Sequence, residues 1–433
     1  MKEIANLPKP KYKRIVIVGG GFGGLKLARL LYRSGYQVVV LDKNNYHQFQ
    51  PLLYQIATAG LEPSAISFPF RKLFQKQERM HFRIAELLKV ESEKNEIITS
   101  IGILEYDFLV IAAGLTTNFF GNENIRKNAL PMKTVSDAIL IRNTILQNYE
   151  AALDQTDSLK KEAHLNVVVV GGGPTGVEMA GALAEMKKFI LPKDYPELDF
   201  ALMNIYLFEA SPKLLNVMSE KSSEKARQYL EKLGVIVKTD TFVTDYDGEK
   251  VVLSDGSNHS TYNLVWAAGV MPISVQGLAA TSFGKGKRVL IDEYNVVKGY
   301  NNIYALGDIA EMQSADFPKG HPQVAPVAIQ QAKNMAENLI HLKNGKTQKA
   351  FQYVDKGSLA TIGRHLAVAD LPYLKTQGFF AWVLWLFVHI MMLIGFKNKI
   401  LVMMDWAWGY FFSDQALRLL IKPSLRNNTS SAK

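Results

Sequence analysis

The sequence predicts an α/β protein with two Rossmann-like dinucleotide-binding domains, followed by a C-terminal helical membrane-anchoring region. Three observations support this fold class. "VIVGGGFGGLKLARLL" at residues 16–31 returns as "VVVVGGGPTGVEMAGAL" at residues 167–183. "YDFLVIAAG", ending at Gly114, returns as "YNLVWAAG", ending at Gly269. The C-terminal part is rich in apolar and aromatic residues. The two motif pairs recur at offsets of 152 and 155 residues, which indicates a duplicated unit.

The composition is that of a multidomain globular protein whose redox chemistry depends on a bound cofactor. A chain of 433 residues exceeds the usual size of one domain, and its 48% hydrophobic share supplies ample core. The absence of cysteine excludes disulfides, thiolate metal sites and redox chemistry through a thiol pair. The eight histidines are scattered and form no ligand pattern, so no metal site is predicted.

The net charge of +10 is concentrated near the two ends of the chain. "MKEIANLPKPKYKR" has five basic residues and one acidic residue. From residue 397 onward the charged residues are Lys397, Lys399, Arg418, Lys422, Arg426 and Lys433 against Asp405 and Asp414. No nucleic-acid-binding motif is present, so nucleic acid is not an expected partner. The charge indicates an anionic membrane surface, with ordinary solubilising surface an equal alternative for the N-terminal part.

The first dinucleotide-binding unit begins with the strand "RIVIV", which leads into a glycine turn and the helix "GLKLARLLYRSG". The strand "QVVVLDK" then ends in Asp42. The order strand, glycine turn, helix, strand and acid is the context in which GxGxxG predicts a dinucleotide site, because the turn amides bind the diphosphate. The predicted contacts in this turn are Gly19, Gly20, Gly21, Phe22, Gly23 and Gly24.

The second unit repeats this order, with "NVVVV", the helix "TGVEMAGALAEMKK" and the strand "MNIYLFEA" ending in Glu209. The predicted contacts in its turn are Gly171, Gly173, Thr175 and Gly176. A carboxylate at the end of the second strand accepts hydrogen bonds from the ribose hydroxyls and repels a 2′-phosphate. Glu209 therefore predicts that the second site prefers NADH over NADPH.

A third element, "NNIYALGDIA" at residues 301–310, contains the pair Gly307 and Asp308. It resembles the element with which flavoproteins of the two-dinucleotide-binding class hold the ribityl chain of FAD. This resemblance implies a split FAD domain, with segments 1–118 and 283–370, into which an NADH domain, 119–282, is inserted. A flavin explains the presence of two sites, because it accepts two electrons from NADH and passes them to a different acceptor.

The remaining segment, 371–433, is predicted to anchor the protein to a membrane. "GFFAWVLWLFVHIMMLIGF" at residues 378–396 has no formal charge while His389 is neutral. Every tryptophan except Trp266 lies between residues 382 and 408, and tryptophan is enriched at membrane interfaces. A transmembrane span and a buried core or dimer-interface helix are alternatives. An acceptor dissolved in the membrane, a quinone, fits this segment best.

Over nearly its whole length the sequence resembles the type II NADH:quinone oxidoreductases, which do not pump protons. The motifs that carry the resemblance are "VGGGFGG", "NYHQFQPLLYQIAT", "VVGGGPTGVEMAGAL", "IYALGDIA", "AIQQA" and "HIMMLIGFKNK". Their order, together with the apolar C-terminus, is more specific than the glycine motifs alone.

The resemblance implies roles for individual residues. FAD contacts are implied at Gly20 to Gly24 and at Asp42, Lys43, Leu87, Gly114, Gly307, Asp308 and Ala328. Glu178 is implied beside the flavin, where it influences the reaction with NADH and with quinone. Gln330 is implied at the quinone, although Pro326 replaces the first glutamine of that family pattern. His47 is expected to be a hydrogen-bonding loop residue and not a catalytic base.

The resemblance also implies a peripheral protein on the cytoplasmic face of the cell membrane, with helices inserted into one leaflet. A homodimer is expected, and the quinone is menaquinone or ubiquinone. A sulfide:quinone oxidoreductase is excluded in its usual mechanism, because that mechanism needs cysteines. A soluble electron-transfer reductase and a non-catalytic, NADH-binding redox sensor remain open alternatives.

Overall fold

The computed structural model describes residues 2–412 and 417–420, and contacts within the chain divide it into two compact units. The first unit comprises Met1–Gln48, Ser67–Asn118 and Val270–Lys356. The second comprises Phe49–Ile66, Phe119–Gly269 and Gly357–Lys433. The predicted domains were defined by the cofactor that each would bind, so their bounds at 118, 282 and 370 stay predictions. Three basic residues of the predicted membrane-anchoring region lie outside the described residues, namely Lys422, Arg426 and Lys433.

The α-helices of the described residues are, in chain order, α1 (Phe22–Leu31), α2 (Leu53–Ala57), α3 (Phe70–Leu73), α4 (Glu123–Asn128), α5 (Val135–Leu153), α6 (Ser158–Leu165), α7 (Pro174–Phe189), α8 (Leu191–Asp194), α9 (Glu220–Lys232), α10 (Ala325–Lys343), α11 (Phe379–Met392) and α12 (Phe396–Phe412).

The β-strands are β1 (Arg14–Val18), β2 (Gln37–Asp42), β3 (Tyr46–Gln48), β4 (Ser67–Pro69), β5 (Met80–Ile84), β6 (Leu87–Glu91), β7 (Glu96–Thr99), β8 (Gly102–Glu105), β9 (Phe108–Ile111), β10 (Leu115–Thr117), β11 (Leu130–Pro131), β12 (Val167–Val170), β13 (Ile205–Phe208), β14 (Val235–Lys238), β15 (Val243–Tyr246), β16 (Lys250–Leu253), β17 (Asn258–Ser260), β18 (Asn263–Trp266), β19 (Val270–Pro272), β20 (Val289–Ile291), β21 (Ile303–Ala305), β22 (Ala310–Met312), β23 (Ser358–Thr361), β24 (Ala367–Leu371) and β25 (Leu374–Gly378).

The first unit is built on a five-stranded parallel sheet in the order β21-β9-β1-β2-β5. β1 and β2 are continuous aliphatic runs because parallel strands are covered on both faces, and Ile15, Val16 and Val39 are fully buried. α1 packs against α10 in the same unit. β21 lies beside β9 although nearly 200 residues separate them in the chain. This pairing confirms that an inserted segment splits the first dinucleotide-binding fold.

The second unit repeats the arrangement in a five-stranded parallel sheet, β11-β18-β12-β13-β14. β12 lies between β18 and β13, just as β1 lies between β9 and β2. In both sheets the central strand leads directly into a glycine turn and a helix, α1 or α7. The two predicted Rossmann-like folds are therefore confirmed, with the same strand order around each turn.

The C-terminal part of the second unit is a three-stranded antiparallel sheet, β23-β24-β25, followed by α11 and α12. The apolar run 378–396 does not form one helix. α11 ends at Met392, where Leu393 turns to an extended ψ of 144° and Gly395 takes a φ of 87°. A positive φ suits glycine, which has no Cβ. No helix within residues 2–412 and 417–420 combines the length and the apolar character needed to cross a membrane.

Candidate functional site

The first glycine turn is closed by the carboxylate at the end of β2. The Gly20 N–H donates to Asp42 Oδ2 at 2.6 Å, and the Asn44 N–H donates to Oδ1 at 2.8 Å. Burial raises the pKa of Asp42, although the hydrogen bonds from Asn44 and Gly20 act in the opposite direction. Two backbone donors thus fix the carboxylate beside the turn, in a position to accept further bonds from ribose hydroxyls.

The second glycine turn has the same hydrogen-bonding pattern. The Gly172 N–H donates to Glu209 Oε2 at 2.5 Å, and the Ser211 N–H donates to Oε1 at 2.8 Å. In each unit one carboxylate oxygen accepts from the backbone N–H of the second glycine in the turn. The other oxygen accepts from the backbone N–H of the residue two positions after the acidic residue. The predicted equivalence of Asp42 and Glu209 therefore extends to their individual hydrogen bonds.

The space around the glycines fits a bound dinucleotide. A Cβ added at Gly21 or Gly173 would meet no atom within 4 Å, so the amino ends of α1 and α7 have open space beside them. A Cβ at Gly24 would lie 1.9 Å from the carbonyl oxygen of Gly19. The open positions leave room for a diphosphate at the helix N-terminus, whereas Gly24 permits close packing of helix on strand. Gly176 and Gly171 repeat this contact at 1.8 Å.

The Gly-Asp turn packs against the start of α1 within the first unit. A Cβ built on Gly307 would lie 3.1 Å from that of Ala328, and one built on Gly23 would lie 3.3 Å from it. The Gly307 N–H donates to Gln331 Oε1 at 2.7 Å, and Arg288 Nε donates to the Asp308 carbonyl oxygen at 3.1 Å. Neither Gln331 nor Arg288 was predicted as a site residue. Gln331 stood in the quoted "AIQQA" motif, whereas nothing in the sequence pointed to Arg288.

The other predicted FAD contacts of the first unit lie near the end of β2 or after β9. The Ala85 N–H donates to the Asp42 carbonyl oxygen at 2.9 Å, so the chain leading to Leu87 runs beside Asp42. Lys43 forms an exposed ion pair with Glu86 at 3.0 Å. Gly114 follows β9 with a φ of 72°, and a Cβ there would meet no atom within 4 Å. Gly269 follows β18 in the second unit with a φ of 69°.

His47 and Phe22 lie beside the first glycine turn. His47 is 3% exposed, its Nδ1 is 3.0 Å from the Gly20 carbonyl oxygen, and its ring centroid is 5.4 Å from that of Phe22. Burial lowers the pKa of His47, so the imidazole is neutral near pH 7. The histidine supports the turn by hydrogen bonding, as the sequence predicted.

Glu178 is a buried carboxyl group of the second unit. It lies in the first turns of α7 and is 6% exposed. Its Oε1 accepts from the Thr361 N–H at 3.3 Å and from Trp385 Nε1 at 3.2 Å. Burial raises the pKa of Glu178 from 4.5 to about 8, against the smaller opposite effect of those two hydrogen bonds. The carboxyl group can therefore hold and release a proton near neutral pH.

Aromatic side chains from the C-terminal helices and α2 are linked to Glu178 through Trp385 and Tyr54. The His389 ring stacks on Trp385 with centroids 4.0 Å apart, and burial lowers the pKa of His389 to about 4. Trp406 Nε1 donates to Gln55 Oε1 at 2.7 Å, and Gln55 Nε2 donates to the Tyr54 hydroxyl at 2.8 Å. Burial, followed by the charge of Glu178, raises the pKa of Tyr54.

Trp385 corrects one interpretation of the sequence. The tryptophans of this segment were predicted to lie at a membrane interface, but Trp385 is only 1% exposed. Its indole N–H points inward because the buried Glu178 accepts its hydrogen bond. Tryptophan enrichment alone could not distinguish this internal donor from the exposed Trp408.

Gln330 has two backbone partners within the first unit. Its Nε2 donates to the Val354 carbonyl oxygen at 2.9 Å, and its Oε1 accepts from the Val354 N–H at 3.0 Å. The predicted bond to quinone stays a prediction; these two bonds leave one amide hydrogen and one oxygen lone pair of Gln330 for it. Pro326, which departs from the family pattern, lies in the first turn of α10, where a proline costs no helical hydrogen bond.

α11 has an inner and an outer face. Ala381 and Trp385 are buried, whereas Phe380, Val383, Phe387 and Met391 are 79%, 45%, 63% and 57% exposed. α12 adds exposed Met403, Met404, Trp408, Phe411 and Phe412. An apolar surface of this kind is typical of a helix that lies in a membrane interface or against a partner.

Family models and similar proteins of known family agree on the family of this chain. The family model "Pyridine nucleotide-disulphide oxidoreductase" matches residues 13–332, and "NDH2 C-terminal domain" matches residues 356–414. Type II NADH:quinone oxidoreductase NdhA of Mycobacterium tuberculosis is 35% identical over 420 residues, which cover 93% of this chain and 88% of that protein.

Two further relatives extend the comparison. A Type II NADH:quinone oxidoreductase of Staphylococcus aureus is 28% identical and covers 82% of this chain and 88% of its own length. The structure of NDH2 from Plasmodium falciparum in complex with NADH superposes with a TM-score of 0.87 over 95% of this chain and 100% of that chain. At 24% identity this last likeness concerns the fold.

Proposed function

The chain belongs to the type II NADH:quinone oxidoreductases, and from this premise we propose how its residues serve the transfer of two electrons from NADH through FAD to a quinone. The enzyme is a flavoprotein NADH dehydrogenase that pumps no protons. The observation that carries the assignment of residues is the pair of matched glycine turns, each closed by a carboxylate with the same two backbone donors.

The first turn is assigned to FAD. The amides from Gly20 to Gly24 bind the diphosphate, Asp42 binds the adenosine ribose, and Asp308 binds the ribityl chain, while Gly19, Lys43, Leu87, Gly114 and Ala328 complete the surroundings. This assignment is supported by the open space at Gly21 and by the packing of Gly307 and Ala328 against the start of α1. Bound FAD supplies a group that accepts two electrons from NADH and passes them to a second acceptor.

The second turn is assigned to NADH. The amides near Gly173, Thr175 and Gly176 bind the diphosphate at the N-terminus of α7, and Glu209 binds the adenosine ribose. The carboxylate of Glu209 disfavours a 2′-phosphate by like-charge repulsion and by loss of its hydrogen bonds to the ribose. The preference for NADH therefore depends on this side chain.

Glu178 is assigned to proton delivery. Reduction of a quinone to a quinol consumes two protons, and a carboxyl group with a pKa of about 8 is protonated at neutral pH. Because Oε1 already accepts two hydrogen bonds, the proton is held on Oε2. Trp385 and Thr361 orient the carboxyl group and favour its charged form once the proton leaves. Gln330 is assigned to the quinone, and its two bonds to Val354 orient the amide.

The outer face of α11 and α12 is assigned to a lipid surface, from which the quinone enters. We place it on the leaflet that faces the cytoplasm, where anionic lipids would attract Lys397 and Lys399. Exposed phenylalanine, methionine and tryptophan side chains support insertion into one leaflet. A homodimer also stays a prediction, and light scattering of the detergent-solubilised protein measures it.

Stopped-flow absorbance of the FAD-loaded protein tests the proposed function. Mixing with NADH should bleach the flavin, and mixing the reduced protein with a short-chain quinone should restore it, each faster than steady-state turnover. Gln330→Ala should slow the second phase more than the first, with Asn334→Ala, one turn further along α10, as the control. A redox sensor would instead bleach once and fail to turn over. Equal slowing of both phases by Gln330→Ala would assign that residue a structural role.

A further inference from the structure

A cavity of about 540 Å³ lies in the first unit, at the amino ends of the parallel strands. Its lining includes Lys13, which directly precedes β1, Phe108, the first residue of β9, and Tyr304 of β21. The glycine turn follows the carboxyl end of β1, and Asp42 is the last residue of β2. Dinucleotides bind at carboxyl ends in such sheets, so the site assigned to FAD does not account for this cavity.

Aromatic rings form its walls. Tyr36 and Tyr304 are 2% and 3% exposed, and Phe108 contacts both, with centroids 6.0 Å from Tyr36 and 6.2 Å from Tyr304. The Tyr36 hydroxyl donates to the Leu339 carbonyl oxygen at 2.9 Å, which fixes its ring. Because the two buried tyrosines hold the half-buried Phe108 in place, binding a flat apolar group against the Phe108 ring costs little conformational entropy.

Two lysines bring positive charge to the same cavity. Lys13 Nζ lies 5.7 Å from the Phe108 centroid, and Lys343 Nζ lies 5.5 Å from the Tyr36 centroid. Lys343 also donates to the Ser34 carbonyl oxygen at 2.7 Å. Within residues 2–412 and 417–420, neither ammonium group forms an ion pair with a carboxylate. Burial and, to a smaller extent, the nearby carboxylates Asp107 and Asp292 raise the pKa values of Tyr36 and Tyr304, but neither carboxylate forms an ion pair with either lysine within the described residues.

The surrounding sequence strengthens this charge. Lys9 and Lys11 precede Lys13 in the basic N-terminal segment, and Lys346 and Lys349 follow Lys343 after the end of α10. The proposed electron transfer gives this basic segment no role. Asn301 and Gln348 add amide groups to the lining, which can exchange hydrogen bonds with a polar substituent.

We propose that this cavity, the amino-end pocket, binds a planar aromatic anion, meaning an aromatic ring that carries a carboxylate or a phosphate. The ring packs on the half-buried Phe108 and Tyr300, and the acidic group takes the charge-assisted hydrogen bonds that Lys13 and Lys343 can donate. The volume lies in the range of small-molecule sites, about 300–1,000 Å³. Such a ligand binds independently of NADH, since none of these residues belongs to either glycine turn.

Titration calorimetry on the full-length, FAD-loaded protein in detergent, with naphthoate as the probe, tests this proposal. Binding is expected with a Kd on the order of 0.1–1 mM, as suits so small a ligand. The double variant Lys13→Ala and Lys343→Ala should bind at least about tenfold more weakly, through loss of the charge-assisted bonds. The matched double variant Lys9→Ala and Lys346→Ala removes equal charge outside the pocket and should bind as wild type.

Two further probes distinguish the chemistry. Naphthalenemethanol, which has the ring without the charge, should bind much more weakly than naphthoate, and inorganic phosphate should not displace naphthoate. If AMP displaces naphthoate, the pocket is assigned to aromatic rings that carry a phosphate. If AMP does not displace naphthoate, the pocket is assigned to aromatic rings that carry a carboxylate. Both double variants should keep wild-type NADH oxidation. The proposal is overturned if naphthoate does not bind, if loss of Lys13 and Lys343 leaves its affinity unchanged, or if inorganic phosphate displaces it.

Discussion

Glu178 combines deep burial with hydrogen-bond donors that carry no net charge. Such an environment favours the neutral acid, and the two donors on Oε1 limit how far the pKa rises. The group binds its proton more tightly in the folded protein than in the unfolded chain. Its contribution to stability is therefore complete below about pH 4.5 and is lost as the pH rises through about 8.

Substitution of Glu178 should remove a pH dependence from the reaction with quinone. In the wild type we expect the rate of flavin reoxidation to fall as the pH rises through about 8, since the acid loses its proton there. Glu178→Gln should be slower at neutral pH by about 10²-fold or more, and flat across this range. Stopped-flow reoxidation between pH 6 and pH 9.5 measures it. A variant that retains the wild-type pH profile would show that another group delivers the proton.

Trp385→Phe should shift this profile without abolishing it. The indole N–H favours the ionised carboxylate, so its loss raises the pKa of Glu178 and moves the inflection to higher pH. Trp406→Phe is the matched control, because its N–H donates to Gln55 and not to Glu178. A purely structural role for Trp385 would lower the rate at every pH and leave the inflection in place.

Glu209→Gln should relax the discrimination against NADPH. The neutral amide no longer repels a 2′-phosphate, so the ratio of kcat/KM for NADH to that for NADPH should fall by about tenfold or more. Glu220→Gln, which removes an exposed charge from the same unit, should leave the ratio unchanged. Equal ratios in wild type and Glu209→Gln would remove Glu209 from the ribose site.

The sequence predicted the residues whose roles depend on local spacing. Asp42 and Glu209 follow their glycine turns by a fixed strand–turn–helix–strand order, which places them beside those turns. Trp385, Thr361 and Gln331 could not be predicted in the same way. Their partners lie 207, 183 and 24 residues away in the chain, and packing alone brings them together.

Among the helices and strands, α11 has two roles, one on each of its opposite faces. Its inner face supplies the Trp385 donor, and its outer face carries exposed apolar side chains. A truncation at Leu374 would remove both faces and part of β25, which pairs with β24. Substitutions on the outer face alone are therefore the cleaner test of anchoring.

Phe380→Asp together with Phe387→Asp should release the protein from vesicles. Each phenylalanine is more than half exposed and would bury its ring in lipid, at about 25 cal/mol per Å². We expect the partition coefficient, measured by vesicle sedimentation, to fall at least about tenfold while NADH still bleaches the flavin. Leu159→Asp is the control, since Leu159 is 73% exposed on α6, away from the anchoring helices. Unchanged partitioning would assign the apolar face of α11 to a protein partner.

For the whole molecule, apolar and charged contributions to membrane binding respond differently to salt. The net charge of +10 should make binding to anionic vesicles tighter than to neutral ones, by about 1 kcal/mol for each lysine near the surface. High salt should remove this difference, because exposed charges are screened, but it should not release the protein, because burial of apolar surface is unscreened. Sedimentation at two salt concentrations measures both effects. Complete release by salt would contradict insertion.

The global arrangement was also predictable in part. Two repeated motif pairs were enough to predict two Rossmann-like folds, and the Gly307-Asp308 element indicated the return of the chain to the first fold, which β21 confirms. The break of the apolar run into α11 and α12 was not predicted. The run stays apolar up to Phe396, and the backbone conformation at Leu393 and Gly395 ends the helix before the lysines of α12 begin.

The contacts between Gly24 and Gly19 and between Gly176 and Gly171 limit which amino-acid substitutions the two halves can accept during evolution. A single added methyl group at Gly24 or Gly176 would overlap a carbonyl oxygen at 1.9 or 1.8 Å, whereas Gly21 and Gly173 have room for one. A larger side chain is thus excluded at the corresponding position of each copy, whereas it has room at Gly21 and Gly173. A saturating mutational scan selected for folded protein should show one intolerant position in each copy, Gly24 and Gly176, 152 residues apart, as a trace of the duplication.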